Sequence, residues 1–499
     1  MWKKGASIVT MAALLASCGS SNNSSTPAPP PIASPAPSPA PAPAPAPTPT
    51  PPETCSLRDR QDWAGALIEE AYLFPDLLDL SVDPDDFDTV QGYIDALVAP
   101  ARAAGRDDFF TFITSIEEEN AFFASGTSAG YGFRLALGPD DTLFILDAYE
   151  GAPALNAGID RGAEILAIGT TVNNLRDVPE ILETDGIEGL IAALGPAEAG
   201  IERVMRFRDA DGETVTTITT AEYQLPPISS RFGLQILNDG GRQVGYVNLR
   251  TFIDTSDDAL RDAFAQFQAE GVTEVILDFR YNGGGLVSTA ELLGDLLGAN
   301  RSPNDIFSIT AFNEALSEFN ETRFFQSRTQ SIAPMRIAVI GTSSTASASE
   351  LVTNSFLPYL GENIALVGSN TSGKPVGQIG LDREECDDRL RVVAFQSQNA
   401  DGEGEYFNGL ASVMDRTCRA DDDIFTALGD PTEASIAQSL SFLRGETCTP
   451  IPGASGFDFF GNTATINQPG FFFGGDRNRR QLLVPRNATP AQREVPGTF

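Results

Sequence analysis

The sequence predicts a layered α/β protein whose core begins near residue 228. From there to residue 447, apolar runs typical of strands alternate with amphipathic runs typical of helices. Upstream, two runs with helical spacing between residues 55 and 122 predict a small helical N-terminal domain, and a region of different texture spans residues 126–223. A chain of 499 residues, 41% of them hydrophobic, is long enough to build several domains of this kind.

The first residues have the composition of an export signal. Two lysines precede a short apolar run that is too short for a stable transmembrane helix. The order Leu-Ala-Ser-Cys ending at Cys18 resembles a bacterial lipobox, which implies cleavage before Cys18 and lipidation of its thiol; an ordinary signal peptide with an incidental cysteine is the alternative. Gly19 resembles the following residue of lipoproteins sorted to an outer membrane. We therefore expect a lipoprotein signal peptide at residues 1–18 whose cleavage before Cys18 leaves the lipidated Cys18 on the protein, which is exported, lipid-anchored and faces the periplasm.

Residues 19–54 and the overall charge restrict the partners. The Ser/Asn and alternating Pro-Ala tract favours polyproline II and cannot bury a core, so it is predicted to be a spacer. The formal net charge of −35 argues against nucleic acid or anionic membrane surfaces as partners. An acidic surface that serves only solubility fits the same charge.

Four further cysteines, an even number in an exported chain, predict two disulfides. Three connectivities are open, and we favour Cys386–Cys418 within the core and Cys55–Cys448 joining the two ends. A metal site formed by these thiols is not expected, because their spacing is wide and the chain has no histidine.

A loop and a strand in the region 126–223 have a specific pattern. Gly-Tyr-Gly-Phe at residues 130–133 precedes a strand-like run, and a short helical pattern then leads into the strand after Gly162. This region resembles a PDZ domain. Backbone N–H groups of such a loop can receive a peptide's terminal carboxylate while the following strand pairs with the peptide. Tyr131, Gly132 and Phe133 are therefore predicted to bind a polypeptide C-terminus.

The core region predicts alternating elements with short connections. The predicted strands are 244–249, 274–280, 336–340 and 364–367, and the predicted helices are 257–268, 286–297, 349–360 and a last one opened by residues 431–433.

The chemistry of the chain centres on Lys374. The sequence has no histidine, which excludes a Ser-His-Asp device, and its only lysines are Lys3, Lys4 and Lys374. If the leader is removed, Lys374 is the single amine side chain that can lose a proton, since arginine remains charged.

Three interpretations of Lys374 are open. Residues 368–374 spell a G-x-x-x-x-G-K nucleotide loop, but Pro375 stands where the mechanism needs a hydroxyl for Mg²⁺. The lysine could also be a chance loop residue, with Ser349 only capping a helix. The third interpretation is a Ser–Lys dyad, in which burial lowers the lysine pKa from about 10.4 toward neutrality at a cost of about 4 kcal/mol. The glycine loop 283–285 could then offer N–H groups to an oxyanion.

A family resemblance favours the dyad. Ser-Thr-Ala-Ser-Ala-Ser-Glu ending at Glu350, Gly-Lys-Pro-Val-Gly-Gln ending at Gln378 and the glycine loop after a buried strand look like a carboxy-terminal processing (tail-specific) serine peptidase over residues 60–445. The resemblance implies Ser349 as nucleophile, Lys374 as base and Gln378 as the orienting amide. Gly284 and the N–H of Glu350 are the implied oxyanion donors.

The same resemblance implies an overall architecture and a substrate class. The fold would be a crotonase-like (ClpP-like) α/β core at residues 228–447, with the PDZ domain inserted ahead of it. Substrates would be unfolded or tail-exposed polypeptides, and no cofactor or metal is implied. Ser347 and Ser372 are competing nucleophiles, and a catalytically silent PDZ adaptor is the alternative function.

The region 449–499 carries aromatic and glycine clusters among Asn, Pro and Arg, and no function follows from them. We expect a low-complexity extension that is partly disordered. This extension and the helical N-terminal domain leave the oligomeric state open.

Overall fold

A six-stranded, mostly parallel sheet lies at the centre of the protein. The computed structural model describes residues 55–138, 140–452, 471–473 and 481–499, all within the compact unit Pro51–Phe499. The predicted signal, spacer and Cys18 lie outside these residues. In the part that is described, no helix has the length and apolarity needed to cross a membrane.

The helices are α1 Leu57–Ala71, α2 Val90–Leu97, α3 Ala99–Ala103, α4 Ile116–Ser125, α5 Pro153–Asn156, α6 Val178–Leu194, α7 Asp254–Ala269, α8 Val287–Leu297, α9 Ala348–Leu360, α10 Ala434–Leu443 and α11 Pro490–Glu494. The strands are β1 Phe112–Ser115, β2 Thr127–Gly130, β3 Phe133–Leu137, β4 Leu143–Ala148, β5 Glu164–Gly169, β6 Arg176–Asp177, β7 Glu202–Asp209, β8 Gly212–Thr219, β9 Ala221–Gln224, β10 Leu234–Asp239, β11 Arg242–Asn248, β12 Glu274–Asp278, β13 Ile306–Phe312, β14 Glu321–Phe324, β15 Arg336–Gly341, β16 Ile364–Gly368, β17 Val376–Arg383, β18 Asp388–Gln398, β19 Thr417–Arg419, β20 Phe471–Phe473 and β21 Gln481–Val484.

The central sheet has the strand order β10-β11-β12-β15-β16-β19 and is parallel except for the β10–β11 pair. Both faces are buried, as expected for parallel strands. Helices α7, α8 and α9 pack on one face and α10 on the other. The prediction of a mixed α/β fold is confirmed, and its strands and helices begin and end within a few residues of the predicted positions.

Register in this sheet places the loops that form the candidate site. Asp278 at the end of β12 pairs with Ile340 in β15, and Ile340 pairs with Val367 in β16. Parallel strands that end together bring their following loops to one edge of the sheet. The glycine loop after β12, the start of α9 after β15 and the loop carrying Lys374 after β16 therefore meet there.

A second, antiparallel sheet has the order β1-β18-β13-β14, with β17 also paired to β18. The N-terminal helices cover it, because Ile68 of α1 and Ile94 of α2 share an apolar cluster with Val392 of β18. The predicted helical region 55–122 thus contains a strand, β1, that belongs to the same sheet as β18. Its helices bury their apolar faces on residues that are far away in sequence.

A third sheet is formed by strands inserted in sequence between α4 and the core, together with β20 and β21 from the C-terminal region. Its order is β20-β21-β3-β4-β5-β7-β8, with β6 paired to β5, and the β2–β9 pair connects it to the core. Arg250, which is almost fully buried, ties the insert to the core by hydrogen-bonded ion pairs to Asp147 at 2.8 Å and Glu150 at 2.8 Å. A guanidinium that satisfies two carboxylates in this way fixes orientation as well as charge.

The chain after residue 449 differs from the expectation of partial disorder. Residues 481–499 form β21 and α11, and Leu482, Leu483 and Val484 are buried. The expectation is wrong for this part because its apolar residues pair with β3, a partner that the local composition does not reveal. Residues 453–470 and 474–480 lie outside the described ranges.

The predicted disulfide pairing is wrong. The bonds are Cys55–Cys386 and Cys418–Cys448, not Cys386–Cys418 and Cys55–Cys448. Cys55 lies just before α1, which packs on β18 close to the turn that carries Cys386. Cys418 lies in the edge strand β19, and the segment after α10 returns beside it, where Arg419 N–H donates to the Thr449 carbonyl.

Candidate active site

Ser349 lies in the first turn of α9 and is fully buried. Its hydroxyl donates to the main-chain carbonyl of Asn282 at 3.4 Å. Ser347, which precedes the helix, has a φ of 53°, a left-handed conformation that turns the chain sharply into α9. This turn holds Ser349 against the glycine loop and away from solvent. Ser347, the competing nucleophile, lies in the turn itself and has a structural role there.

Lys374 lies between β16 and β17, and its side chain is buried. The ammonium nitrogen donates to Gln378 Oε1 at 3.1 Å and lies 4.7 Å from the centre of the Phe110 ring. The Gln378 amide nitrogen donates to the Phe110 main-chain carbonyl. Because that carbonyl can only accept, the Gln378 oxygen is directed to the lysine.

Burial lowers the pKa of Lys374, because the charged form loses its hydration. Arg391 acts in the same direction, whereas the charges of Glu494, Asp107 and Glu350 oppose the shift. A lysine in this position is easier to deprotonate than a lysine in water. That property is the one a general base requires.

The carboxylate of Glu350 connects the start of α9 with the lysine loop. Its Oε1 accepts the N–H of Gly373 at 2.8 Å, and its Oε2 accepts the N–H of Lys374 at 2.8 Å and of Ser347 at 3.1 Å. Burial raises the pKa of Glu350 to about 7, while these hydrogen bonds act in the opposite direction. Sequence reasoning assigned only the main-chain N–H of this residue and missed its side chain.

No hydrogen bond joins Ser349 and Lys374, both of which lie in described parts of the chain. The hydroxyl of Ser349 is directed to Asn282 and the amine of Lys374 to Gln378. The structure therefore brings the serine-bearing helix and the lysine loop together through the Glu350 side chain.

Two N–H groups of the glycine loop donate to different kinds of oxygen, one of a side chain and one of the main chain. Gly284, the predicted oxyanion donor, donates its N–H to Asn282 Oδ1 at 2.9 Å. The N–H of Gly283 instead donates to the main-chain oxygen of Glu494 at 3.0 Å. Only glycine fits at position 284, because a Cβ there would lie 2.7 Å from the Ser347 Cβ. The three consecutive glycines identified this loop, but no sequence signal singled out Gly283.

A buried ion cluster fixes the strand end beneath this loop. Arg280 donates to Asp278 at 2.9 Å and to both oxygens of Glu433 at 2.9 Å each. Tyr246 donates to the second oxygen of Asp278 at 2.8 Å. Fully paired buried charges of this kind hold β12 and its following loop in one arrangement.

The predicted peptide-binding residues converge on a single atom. The N–H groups of Tyr131, Gly132 and Phe133 all point to the main-chain oxygen of Phe499, at 3.0, 2.8 and 3.4 Å. Gly132 has a φ of 76°, and a Cβ there would lie 2.0 Å from the Ala152 Cβ. The loop is therefore shaped to direct successive N–H groups at one acceptor.

A small cavity lies beside Lys374. It has a volume of about 80 Å³ and is lined by the N-terminal region, including Asp95 and Phe110, by Gly283 and by Arg493 and Glu494 of the last helix. Its size admits a few water molecules at most. Lys374 is thus one of the residues that line a small cavity.

Parts of the chain are similar in sequence to known proteins. Residues 243–410 match the family model "Peptidase family S41". The C-terminal processing peptidase of the Tetradesmus obliquus chloroplast is 29% identical over 205 residues, which cover 37% of this chain and 42% of that protein. The carboxyl-terminal-processing protease of Synechocystis sp. is 25% identical over 325 residues, covering 64% of this chain and 70% of that protein.

The fold also has a solved counterpart. A crystal structure of a Bacteroides fragilis protein described as an S41 protease superposes with a TM-score of 0.59 at 22% identity, covering 77% of this chain and 97% of that chain. The chain thus spans less than half of the Tetradesmus relative but nearly all of this structure. Residues 243–410 thus resemble serine peptidases, which are hydrolases of peptide bonds, and the Bacteroides fragilis structure is similar in fold.

The Glu350 bridge leads to a prediction. We expect Glu350→Gln to lower both stability and peptidase activity, because the amide keeps one acceptor oxygen but directs two N–H donors at backbone donors. Leaving buried N–H groups without acceptors costs about 1–3 kcal/mol each. Chemical unfolding and initial rates on an unfolded substrate measure the two effects.

Glu362 provides the control, since its ion pair with Arg416 is exposed on both sides. Glu362→Gln should change the free energy of unfolding by no more than about 0.5 kcal/mol. Its initial rate should stay close to that of the wild type. Equal behaviour of the two variants would contradict the bridging role of Glu350.

Proposed function

We propose that the chain is a serine endopeptidase in which Ser349 is the nucleophile and Lys374 the general base. The observation that carries the proposal is the position of Lys374. The only lysine outside the leader region is buried, held by Gln378 and tied through Glu350 to the helix that bears Ser349. The match of residues 243–410 to an S41 peptidase supports the same assignment.

The chemistry follows from these groups. Neutral Lys374 accepts the Ser349 proton as the serine oxygen bonds to the scissile carbonyl carbon. The lysine then returns the proton to the leaving amine as the C–N bond breaks, and water hydrolyses the acyl-enzyme by the same sequence. The N–H of Gly283, which in the structure donates to the Glu494 carbonyl, would donate to the developing oxyanion once that carbonyl is displaced.

Recognition of polypeptide C-termini is the second part of the proposal. The inserted sheet carries a PDZ-like loop in which Tyr131, Gly132 and Phe133 direct N–H groups at one oxygen. A substrate's terminal carboxylate would accept these bonds while its last residues pair with β3. Unfolded or tail-exposed polypeptides would thereby be presented to the core.

A catalytically silent PDZ adaptor is the alternative function. It would keep the peptide groove and tolerate the loss of catalytic side chains. The presence of Ser349, Lys374 and Gln378 together, with the last two hydrogen-bonded, favours the enzyme. We further propose that the protein is exported and anchored in a bacterial outer membrane by a lipid on Cys18, with the peptidase facing the periplasm.

The dyad makes a direct prediction. Ser349→Ala and Lys374→Ala should each lower kcat by about 10³-fold or more, because each removes a group that acts in the bond-making step. Lys374→Arg should not restore activity, since a guanidinium does not give up its proton. Ser355→Ala, on the same helix and equally buried, should keep activity within a few fold. Wild-type rates in the first two variants would refute the assignment.

The pH dependence follows from the lowered pKa of Lys374. The amine accepts a proton only in its neutral form, so kcat/KM should fall as pH drops through the pKa of Lys374 and rise to a plateau above it. Because burial raises the pKa of Glu350 to about 7, protonation of this bridging carboxylate contributes to the acid limb as well. A rate measured from about pH 9 down to about pH 5 that stays flat would exclude lysine as the base.

The anchor is tested separately. Cys18→Ser should move the protein from the membrane fraction to the soluble fraction, because the thiol is the site of lipidation. Fractionation followed by immunoblotting measures this, with Ser24→Ala as a control that leaves Cys18 and both disulfides unchanged. Retention of Cys18→Ser in the membrane would refute the lipid anchor.

A further inference from the structure

Residues 481–499, here named the terminal segment, lie along the peptide-binding edge of β3. At one end β21 pairs antiparallel with β3 through Leu482 and Ala136. At the other end the Leu135 N–H donates to the Gly497 carbonyl at 2.8 Å, and the Phe499 N–H donates to the Phe133 carbonyl at 3.0 Å. The edge that a peptide would use is filled by the chain itself.

Phe499 occupies the loop predicted to receive a substrate's terminus. Its main-chain oxygen accepts the three converging N–H groups described above, and its ring is buried in an apolar cluster with Tyr131, Phe133 and Leu194. The approach is close enough that a Cβ on Gly130 would lie 2.7 Å from the Phe499 carbonyl carbon. Both the backbone and the side chain of Phe499 therefore fit closely into this loop.

Thr498 makes a specific polar contact in the same groove. Its hydroxyl donates to the Val495 carbonyl at 2.7 Å, so the Tyr149 hydroxyl, 2.9 Å away, is the donor to Thr498. All of these groups are buried. Because a buried hydroxyl without a partner is unfavourable, Tyr149 selects a hydroxyl-bearing residue at this place.

Between these two ends, α11 crosses the candidate active site. The Glu494 carbonyl accepts the Gly283 N–H at 3.0 Å, as a substrate carbonyl would. The guanidinium carbon of Arg493 lies 3.9 Å from the centre of the Phe112 ring. The buried Glu494 carboxyl lies close enough to Lys374 for its charge to oppose deprotonation of the amine. The helix thus covers the glycine loop and the lysine together.

We propose that the terminal segment is an internal ligand that holds the peptidase closed, and that external polypeptides compete with it for the groove. The competing class has an aromatic or large apolar residue at the position of Phe499 and a hydroxyl residue at that of Thr498. The inhibitory half of this inference rests on the proposed peptidase function, whereas occupancy of the groove does not.

Competition has a quantitative consequence. A tethered ligand acts at an effective concentration on the order of millimolar, so it outcompetes a free peptide of similar intrinsic affinity. A variant that releases the segment should therefore bind an added peptide much more tightly than the wild type does. It should also hydrolyse unfolded substrates faster.

The experiment uses the full chain and a fluorescein-labelled synthetic peptide with the sequence of residues 490–499. Anisotropy titrations compare the wild type with Phe499→Asp, which places a charge in the apolar pocket. We expect at least about tenfold tighter peptide binding by Phe499→Asp and a several-fold faster hydrolysis of an unfolded protein. Phe319→Asp makes the same change at a side chain that is 58% exposed, and should match the wild type.

A second variant guards against misfolding. Thr498→Val keeps the size of the side chain, removes the contact with Tyr149 and should raise peptide binding by a few fold. Equal peptide affinity in the wild type, Phe499→Asp and Thr498→Val would overturn the inference, even if Ser349-dependent hydrolysis is present. Tighter binding without any Ser349-dependent hydrolysis would instead uphold the internal ligand and refute the peptidase.

Discussion

The buried carboxylate of Glu350 is the interaction on which the candidate site depends. One side chain accepts N–H groups from the residue before α9 and from the loop after β16, two segments that are also joined by the Ser372 N–H donating to the Thr345 carbonyl at 3.0 Å. Its removal would leave buried donors unpaired on both sides. The Glu350 side chain, placed next to the serine in sequence, therefore helps to fix the relative position of Ser349 and Lys374.

The parallel sheet makes that bridge feasible. Because β12, β15 and β16 end in register, the glycine loop, the start of α9 and the lysine loop emerge at one edge. The Arg280 cluster fixes the first of these loops from below, and Gln378 fixes the lysine from the antiparallel sheet. The two sheets and the ion cluster together hold the loops of the site in place.

Local patterns predicted much of this arrangement. The periodic spacing of apolar residues predicted the strands and helices of the core. The absence of histidine and the lone lysine indicated Lys374 and Ser349 as candidate site residues. Periodicity works there because burial of one face imposes it residue by residue. The disulfide pairing failed because all three connectivities fit the same spacing, and which cysteines meet depends on how α1 packs on β18.

The difference between what local patterns predicted and what the structure shows is largest in the terminal segment. Composition suggested no order for it, yet its residues complete the β3 edge, accept the N–H groups of residues 131–133 and cover the glycine loop. The chemistry available to the protein, with no imidazole and one usable amine, was determined by the sequence alone, since composition decides which groups exist. Only the tertiary structure decided that Glu350 bridges serine and lysine segments and that Phe499 occupies the groove, because both depend on contacts between residues that are distant along the chain.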